Sequence, residues 1–154
     1  MSLWNILRGP AKTATFASAA TTLTAMACGE IENGDPFAPI NAVSHITFGE
    51  EAANQNGLSW KYTGAGLMLN HSAVLSWAAF YEKFFGRAAA EGNKSMALLG
   101  GIIIAAVAYI TDYYLVPKRL TPGFEKRLSG RSLFFIYAAL ALGLAAGGMM
   151  KREE

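Results

Sequence analysis

Residues 96–116, MALLGGIIIAAVAYITDYYLV, decide the fold class. The 15 residues from Met96 to Ile110 carry no charge and no proline, and the run then meets Asp112 and ends at Pro117-Lys118-Arg119. At about 1.5 Å rise per residue, a helix of about 20 residues crosses a hydrocarbon layer about 30 Å thick. The stretch reads as a membrane helix with a basic stop. The single carboxylate near its end needs a reason.

Composition points the same way. Of 154 residues, 53% are apolar and 16% charged, against about 25% charged in a typical soluble domain. The length suits one domain. A net charge of +2, with no arginine-rich run, zinc-finger spacing or Walker loop, gives no nucleic-acid partner. Membrane lipids are the expected partners, with a larger membrane complex or a homo-oligomer beside them. Cys28 is the only cysteine, so the chain forms no internal disulfide.

Three further segments have the length of a span: about 13–29, 63–84 and 132–150. The first is rich in Thr, Ser and Ala, too weakly apolar for the core of a leader peptide, and Met26-Ala27-Cys28-Gly29 lacks the leucine of a lipobox. A retained first helix is expected. Its hydroxyls bond back to carbonyls one turn earlier, and its small side chains admit a close neighbour. In the fourth segment Gly143 and Gly147 form a GxxxG pattern, which serves either the bundle itself or a homodimer. In the third, Gly101, Ala105, Ala108 and Asp112 share one stripe and Ile103, Val107 and Ile110 the other. The small stripe is expected to face protein, carrying Asp112 inward or toward the interface.

The connection 30–62 is long for a compact domain. Asp35-Pro36 and Pro39 signal a helix start, and Pro39 to Ile46 reads as one short helix that Gly49 ends or kinks. Ile40, Val43, Ile46 and Phe48 suit the membrane surface or the bundle end, so a short interfacial or re-entrant helix is expected. Trp60, Lys61 and Tyr62 read as an interfacial anchor. Four spans put the termini on one side with seven Lys and Arg (Arg8, Lys12, Lys83, Arg87, Lys94, Lys151, Arg152) against six on the other. That count is nearly level. The acid-rich first loop leans outward and the basic loop 117–131 inward, a conflict in a four-span chain. Termini inside is the reading adopted.

The groups with chemistry are few. Asn70 and His71 lie mid-helix, and Glu82 lies three turns after His71, about 16 Å along the axis. Intramembrane polar groups are functional candidates; equally, Asn70 and His71 can bond the Thr-rich first helix and hold the bundle together. The two histidines, His45 and His71, are candidate haem ligands or, with Glu50 or Glu51, ligands of a divalent metal. No ligand spacing supports either, so no cofactor is expected. His71, Glu82 and Asp112 also have the chemistry of a proton relay in a small oligomeric transporter. Asp112 precedes Arg119 by seven residues, close enough for the loop to fold back and pair them. Lys118, Arg119, Lys126, Arg127 and Arg131 form either a lipid head-group contact or a solvated basic loop. No nucleophile motif is visible.

Pro39-Ile40-Asn41-Ala42-Val43-Ser44-His45-Ile46, His71 followed by Ser76-Trp77-Ala78 and Tyr81-Glu82, and Asp112-Tyr113 through Pro117-Lys118-Arg119-Leu120-Thr121-Pro122-Gly123-Phe124-Glu125 carry a resemblance. Over roughly residues 36–128 the chain resembles a family of small bacterial four-helix inner-membrane proteins without an assigned activity. The resemblance implies a bacterial inner-membrane location and a four-span bundle. It also implies that His45, His71, Glu82 and Asp112 belong to one arrangement.

The expected fold is thus all-α: an integral membrane four-helix bundle with a short interfacial or re-entrant helix after the first span. The leading expectation for function is a membrane protein without catalysis, an accessory or assembly subunit or a lipid-binding bundle. The alternative is a small transporter or a haem or metal protein using the His/Glu/Asp cluster.

Overall fold

Four long helices account for most of the chain in this computed structural model. It describes residues 2–150, apart from the side chain of Asn5. Lys151 and Arg152, counted above for orientation, lie outside the described residues. The helices are α1 (Leu3–Asn33), α4 (Tyr62–Ala90), α5 (Lys94–Ile110) and α6 (Gly130–Met149). Two short ones, α2 (Ala38–Val43) and α3 (His45–Phe48), sit between the first pair. No strand occurs among the described residues, so the chain is all-α. Two of the helical segments, Lys94–Leu115 and Gly130–Met149, are long and apolar enough to cross a membrane.

The four long helices pack in a ring, α1 beside α4, α4 beside α5, α5 beside α6 and α6 beside α1. Small residues set the spacing. Ala14, Ala17, Ala78, Ala89 and Ala97 are completely buried around Tyr81 and Leu144. The glycines of α6 bring backbones into contact. A Cβ on Gly143 would lie 2.6 Å from Ala17 Cα, and one on Gly147 2.7 Å from Thr13 Cα. The GxxxG pattern is therefore engaged inside the chain, against α1, and these two glycines are not open to a second copy. On α5, Gly101, Ala105 and Ala108 are buried while Ile103, Val107 and Ile110 are exposed. A Cβ on Gly101 would meet the Ala141 carbonyl oxygen at 2.3 Å.

Both ends of the ring are closed differently. At one end α4 and α5 join through a three-residue turn in which Gly92 takes φ 87° and the Asn93 side chain accepts from Met96 N–H. At the other end lie both long connections, 34–61 and 116–129, packed on each other. Here residues 39–46, expected as one short helix on the membrane surface or the bundle end, form two, and they sit at the bundle end. The segment breaks at Ser44 into α2 and α3, and every residue of α2 is buried. Ile40 and Val43 contribute to a second core with Ala25, Phe124, Leu128, Leu133 and Ile136. The physical reason is Asn41. It is fully buried, its amide donates to the Gln55 and Gly57 carbonyls, and its Oδ1 accepts from Thr63. That satisfied polar knot pins α2 under the loop instead of on a surface. Gly66 lets α4 pass so near that a Cβ would stand 2.0 Å from the Ile40 carbonyl oxygen.

The acid-rich and the basic loop meet at this same end. Lys126 Nζ bonds Glu50 at 2.8 Å. Arg127 reaches Asn33 Oδ1, the Ala53 carbonyl and Asn56 Oδ1 at 2.9–3.1 Å. Glu32 accepts from Ser129 N–H and Ser132 Oγ at the start of α6, where a helix N-terminus favours negative charge. The Ser132 hydroxyl holds the Glu32 carboxyl below its ordinary pKa, and Lys126 does the same for Glu50.

Candidate functional site

α1 and α4 carry their polar side chains toward each other. Thr13 donates to Glu82 Oε1 at 2.5 Å, Ser18 Oγ and His71 Nδ1 share a hydrogen bond of 2.9 Å, and Asn70 donates to Thr21 Oγ1 at 3.2 Å. Asn70 also donates to Thr22 Oγ1 at 3.4 Å, and Thr15, Thr24, Ser72 and Ser76 bond their own helices, to the carbonyls of Ala11, Ala20, Met68 and Ser72. The buried members of this seam, Thr13, Ser18, Thr21 and Asn70, each have a partner inside the chain, as burial away from water requires, whereas His71 is exposed at its edge.

The candidate residues are spread along the bundle. His45 is buried at the capped end, where its Nε2–H donates to the Thr121 carbonyl at 2.7 Å. A carbonyl only accepts, so this bond fixes the proton on Nε2. Glu82 pairs with Thr13, about eleven residues of helix from His71. Asp112 accepts from the Tyr137 hydroxyl at 2.6 Å, and no Asp112–Arg119 ion pair forms among the described residues. No group of three or more His, Cys, Asp or Glu positioned for a metal occurs among the described residues. Of the basic set, Lys126 and Arg127 are engaged within the cap, whereas Lys118, Arg119 and Arg131 are exposed at the same end.

Two of the candidates do meet. Asn70 and Asp112 line one cavity of about 90 Å³ below the cap. Its walls are Leu69, Ala73, Val74 and Trp77 of α4 and Ile136, Tyr137 and Leu140 of α6. Val43, Ile46 and the 120–124 loop roof it, and Thr21 of α1 closes the back. α4 and α5 touch near their connecting turn, where Tyr81 Oη donates to the Ala97 carbonyl at 3.0 Å and Phe85 fills the notch at Gly100. Toward the cap no residue of α5 itself lines the gap. The chain there leaves the α-helical path in a π turn, Thr111–Leu115, closed by Val116 N–H on the Thr111 carbonyl. Such turns insert one residue and re-aim those beside it; this one carries Asp112 to the cavity wall. Exposed Ala73 and Leu120 flank the opening, so the cavity opens sideways, between helices, and not along the bundle axis.

Behind Asp112 stand tyrosines. The Tyr137 ring lies 5.2 Å from Tyr109 and 6.0 Å from Tyr113, and Tyr113 Oη donates to Glu125 Oε2 at 3.3 Å. Glu125 also accepts from Thr121 Oγ1 and Gly123 N–H. Asp112 was legible in the sequence as a lone acid on a small-residue stripe. Trp77 stands in the sequence only as part of the Ser76-Trp77-Ala78 motif, and Tyr137 carries no motif. The available signal was a hydroxyl-bearing ring in the apolar run SLFFIYAALALGL, at the depth of Asp112. No family model, curated protein or solved structure matches this chain.

Proposed function

We propose that the protein is an integral membrane four-helix bundle, multi-pass in a bacterial inner membrane with its termini inside, that binds a lipid-like amphiphile without catalysing a reaction. The sideways cavity is the observation that carries the binding role. A pocket that opens between helices with mostly aliphatic walls and a few polar groups suits a ligand arriving from the hydrocarbon layer.

The span count rests on charge and exposure. Stretches 13–29, 63–81, 95–111 and 132–150 carry no Asp, Glu, Lys or Arg, and each is about 25–28 Å long as a helix. Large apolar side chains project from all four, among them Leu23, Phe80, Ile102 and Phe134. The two stretches with lower hydropathy pair Thr13, Ser18 and Thr21 with Glu82, His71 and Asn70 across their seam, which lowers the cost of carrying those groups in lipid. The likeness to small inner-membrane proteins supports the same location.

The test is purification from membranes in mild detergent followed by native mass spectrometry. Retention of the chain in carbonate-washed membranes and a bound amphiphile that survives gel filtration are the expected results. The cavity-filling variant Ala73→Phe should lose that amphiphile while keeping its melting temperature. Extraction by carbonate overturns the membrane assignment, and equal ligand retention in Ala73→Phe overturns the site.

A further inference from the structure

The lateral cavity has a polarity that the amphiphile reading alone does not use. Its lining is mostly apolar, with Asn70 and Thr21 as one polar pair and Asp112 as the single acid, and Trp77 and Tyr137 border the same space. Asp112 Oδ2 accepts from Tyr137. Among the described residues no donor reaches Oδ1, which is not buried. Asn70 and Thr21, the other polar groups of the lining, already bond each other.

Among the described residues, no ion pair reaches this carboxylate: Lys61 pairs with Glu51, Arg87 with Glu91 and Lys126 with Glu50. The neighbouring acid, Glu125, is held by Thr121, Gly123 and Tyr113, which are neutral donors. A carboxylate walled by hydrocarbon needs a counter-charge or a proton. Trp and Tyr faces attract organic cations by their quadrupoles, and more strongly where water is excluded.

Resting on the amphiphile-binding reading, we infer that the cavity selects an alkylammonium group: the cation seats between Asp112, Trp77 and Tyr137, and the alkyl part leaves through the opening flanked by Ala73 and Leu120. A cavity of about 90 Å³ holds an ammonium with a short run of methylenes and leaves the rest of the ligand in the side opening. A lipid head-group amine and a free amine share this chemistry.

The experiment uses the full chain in phosphatidylglycerol nanodiscs with Trp4→Phe and Trp60→Phe, both exposed positions, so that Trp77 is the only tryptophan. Hexylammonium, hexanol and hexanoate are titrated while Trp77 fluorescence is read. A saturable change with hexylammonium is expected, at an affinity at least about tenfold above hexanol and with no response to hexanoate. Asp112→Asn should remove that preference for the cation, leaving the two neutral-site affinities alike. Ala73→Phe should abolish both responses without touching the carboxylate. If Asp112→Asn keeps the preference, or if hexanol binds as well as hexylammonium to the parent, cation selection is wrong and the amphiphile cavity stands. If none of the three probes saturates on a chain with a normal melting curve, the amphiphile cavity itself is wrong. Adding phosphatidylethanolamine to the nanodiscs assigns the source. A weaker apparent hexylammonium affinity supports the inference with a head-group amine as the occupant, and an unchanged affinity supports it with a free amine.

Discussion

The α1–α4 seam and the α1–α6 seam share one helix and work by different physics. Against α4, α1 presents hydroxyls: Thr13, Ser18 and Thr21 engage Glu82, His71 and Asn70. Against α6 it presents backbone, with Ala17 and Thr13 at the notches of Gly143 and Gly147. The first seam tolerates a change of side chain at the cost of a hydrogen bond. The second has no spare room, because the neighbour of each glycine is main chain that cannot rotate away. The contact of α4 with α2 belongs to the second type.

The largest expected effect therefore comes from a single methyl. Gly66→Ala places a Cβ 2.0 Å from the Ile40 carbonyl oxygen, and overpacking of this kind costs about 3 kcal/mol. Gly64→Ala, two residues away, has nothing within 4 Å and should leave stability level or raise it by up to about 1 kcal/mol. Thermal melts of both variants in detergent break the comparison if they shift alike.

A middle-sized effect sharpens the hydroxyl seam. In a double-mutant cycle of Ser18→Ala with His71→Leu, the coupling should be about 0.6 kcal/mol and no more than about 1.7, the range of interhelical hydrogen bonds in lipid. His71→Leu alone should lower the melting temperature. A coupling of zero would remove the Ser18–His71 bond from the forces that hold α1 to α4.

The smallest effect belongs to the cap. Glu32 is ionised more readily in the fold than in the unfolded chain, its carboxyl held below the ordinary value of 4.5 first by Ser132. Its contribution to stability is complete above that value and is lost as pH falls through the lowered folded one. Glu32→Gln should thus melt below the parent at pH 7, and the gap should close below pH about 4.5. A gap that is constant with pH would assign the loss to packing instead.

Much of the fold could be read directly. The uncharged run at 96–110 makes a helix, the stripe of Gly101, Ala105 and Ala108 faces protein, and the hydroxyls of 13–24 find partners within the bundle. These follow from period and side-chain size, which are local properties. The place of the cap stays open from sequence, since Ile40, Val43 and Ile46 have the same apolar spacing whether a helix lies on a surface or under a loop. Asn41 distinguishes the two cases only through carbonyls 14 and 16 residues away. The candidate site was half legible: Asp112 and Asn70 stood out as polar groups in apolar runs, but their shared cavity depends on where α4 and α5 part.

Which segments are helical, which of their faces are small, and that polar groups inside the uncharged stretches need partners are all set within a few turns of chain and follow from it directly. Three facts needed the folded molecule: His45, His71, Glu82 and Asp112 each bond a different partner, Lys126 of the basic loop pairs with Glu50 of the acid-rich one, and Asp112 shares a cavity with Trp77 and Tyr137. Those facts join residues tens of positions apart, and the packing of backbone on glycine at Gly66, Gly101, Gly143 and Gly147 sets the distances between them.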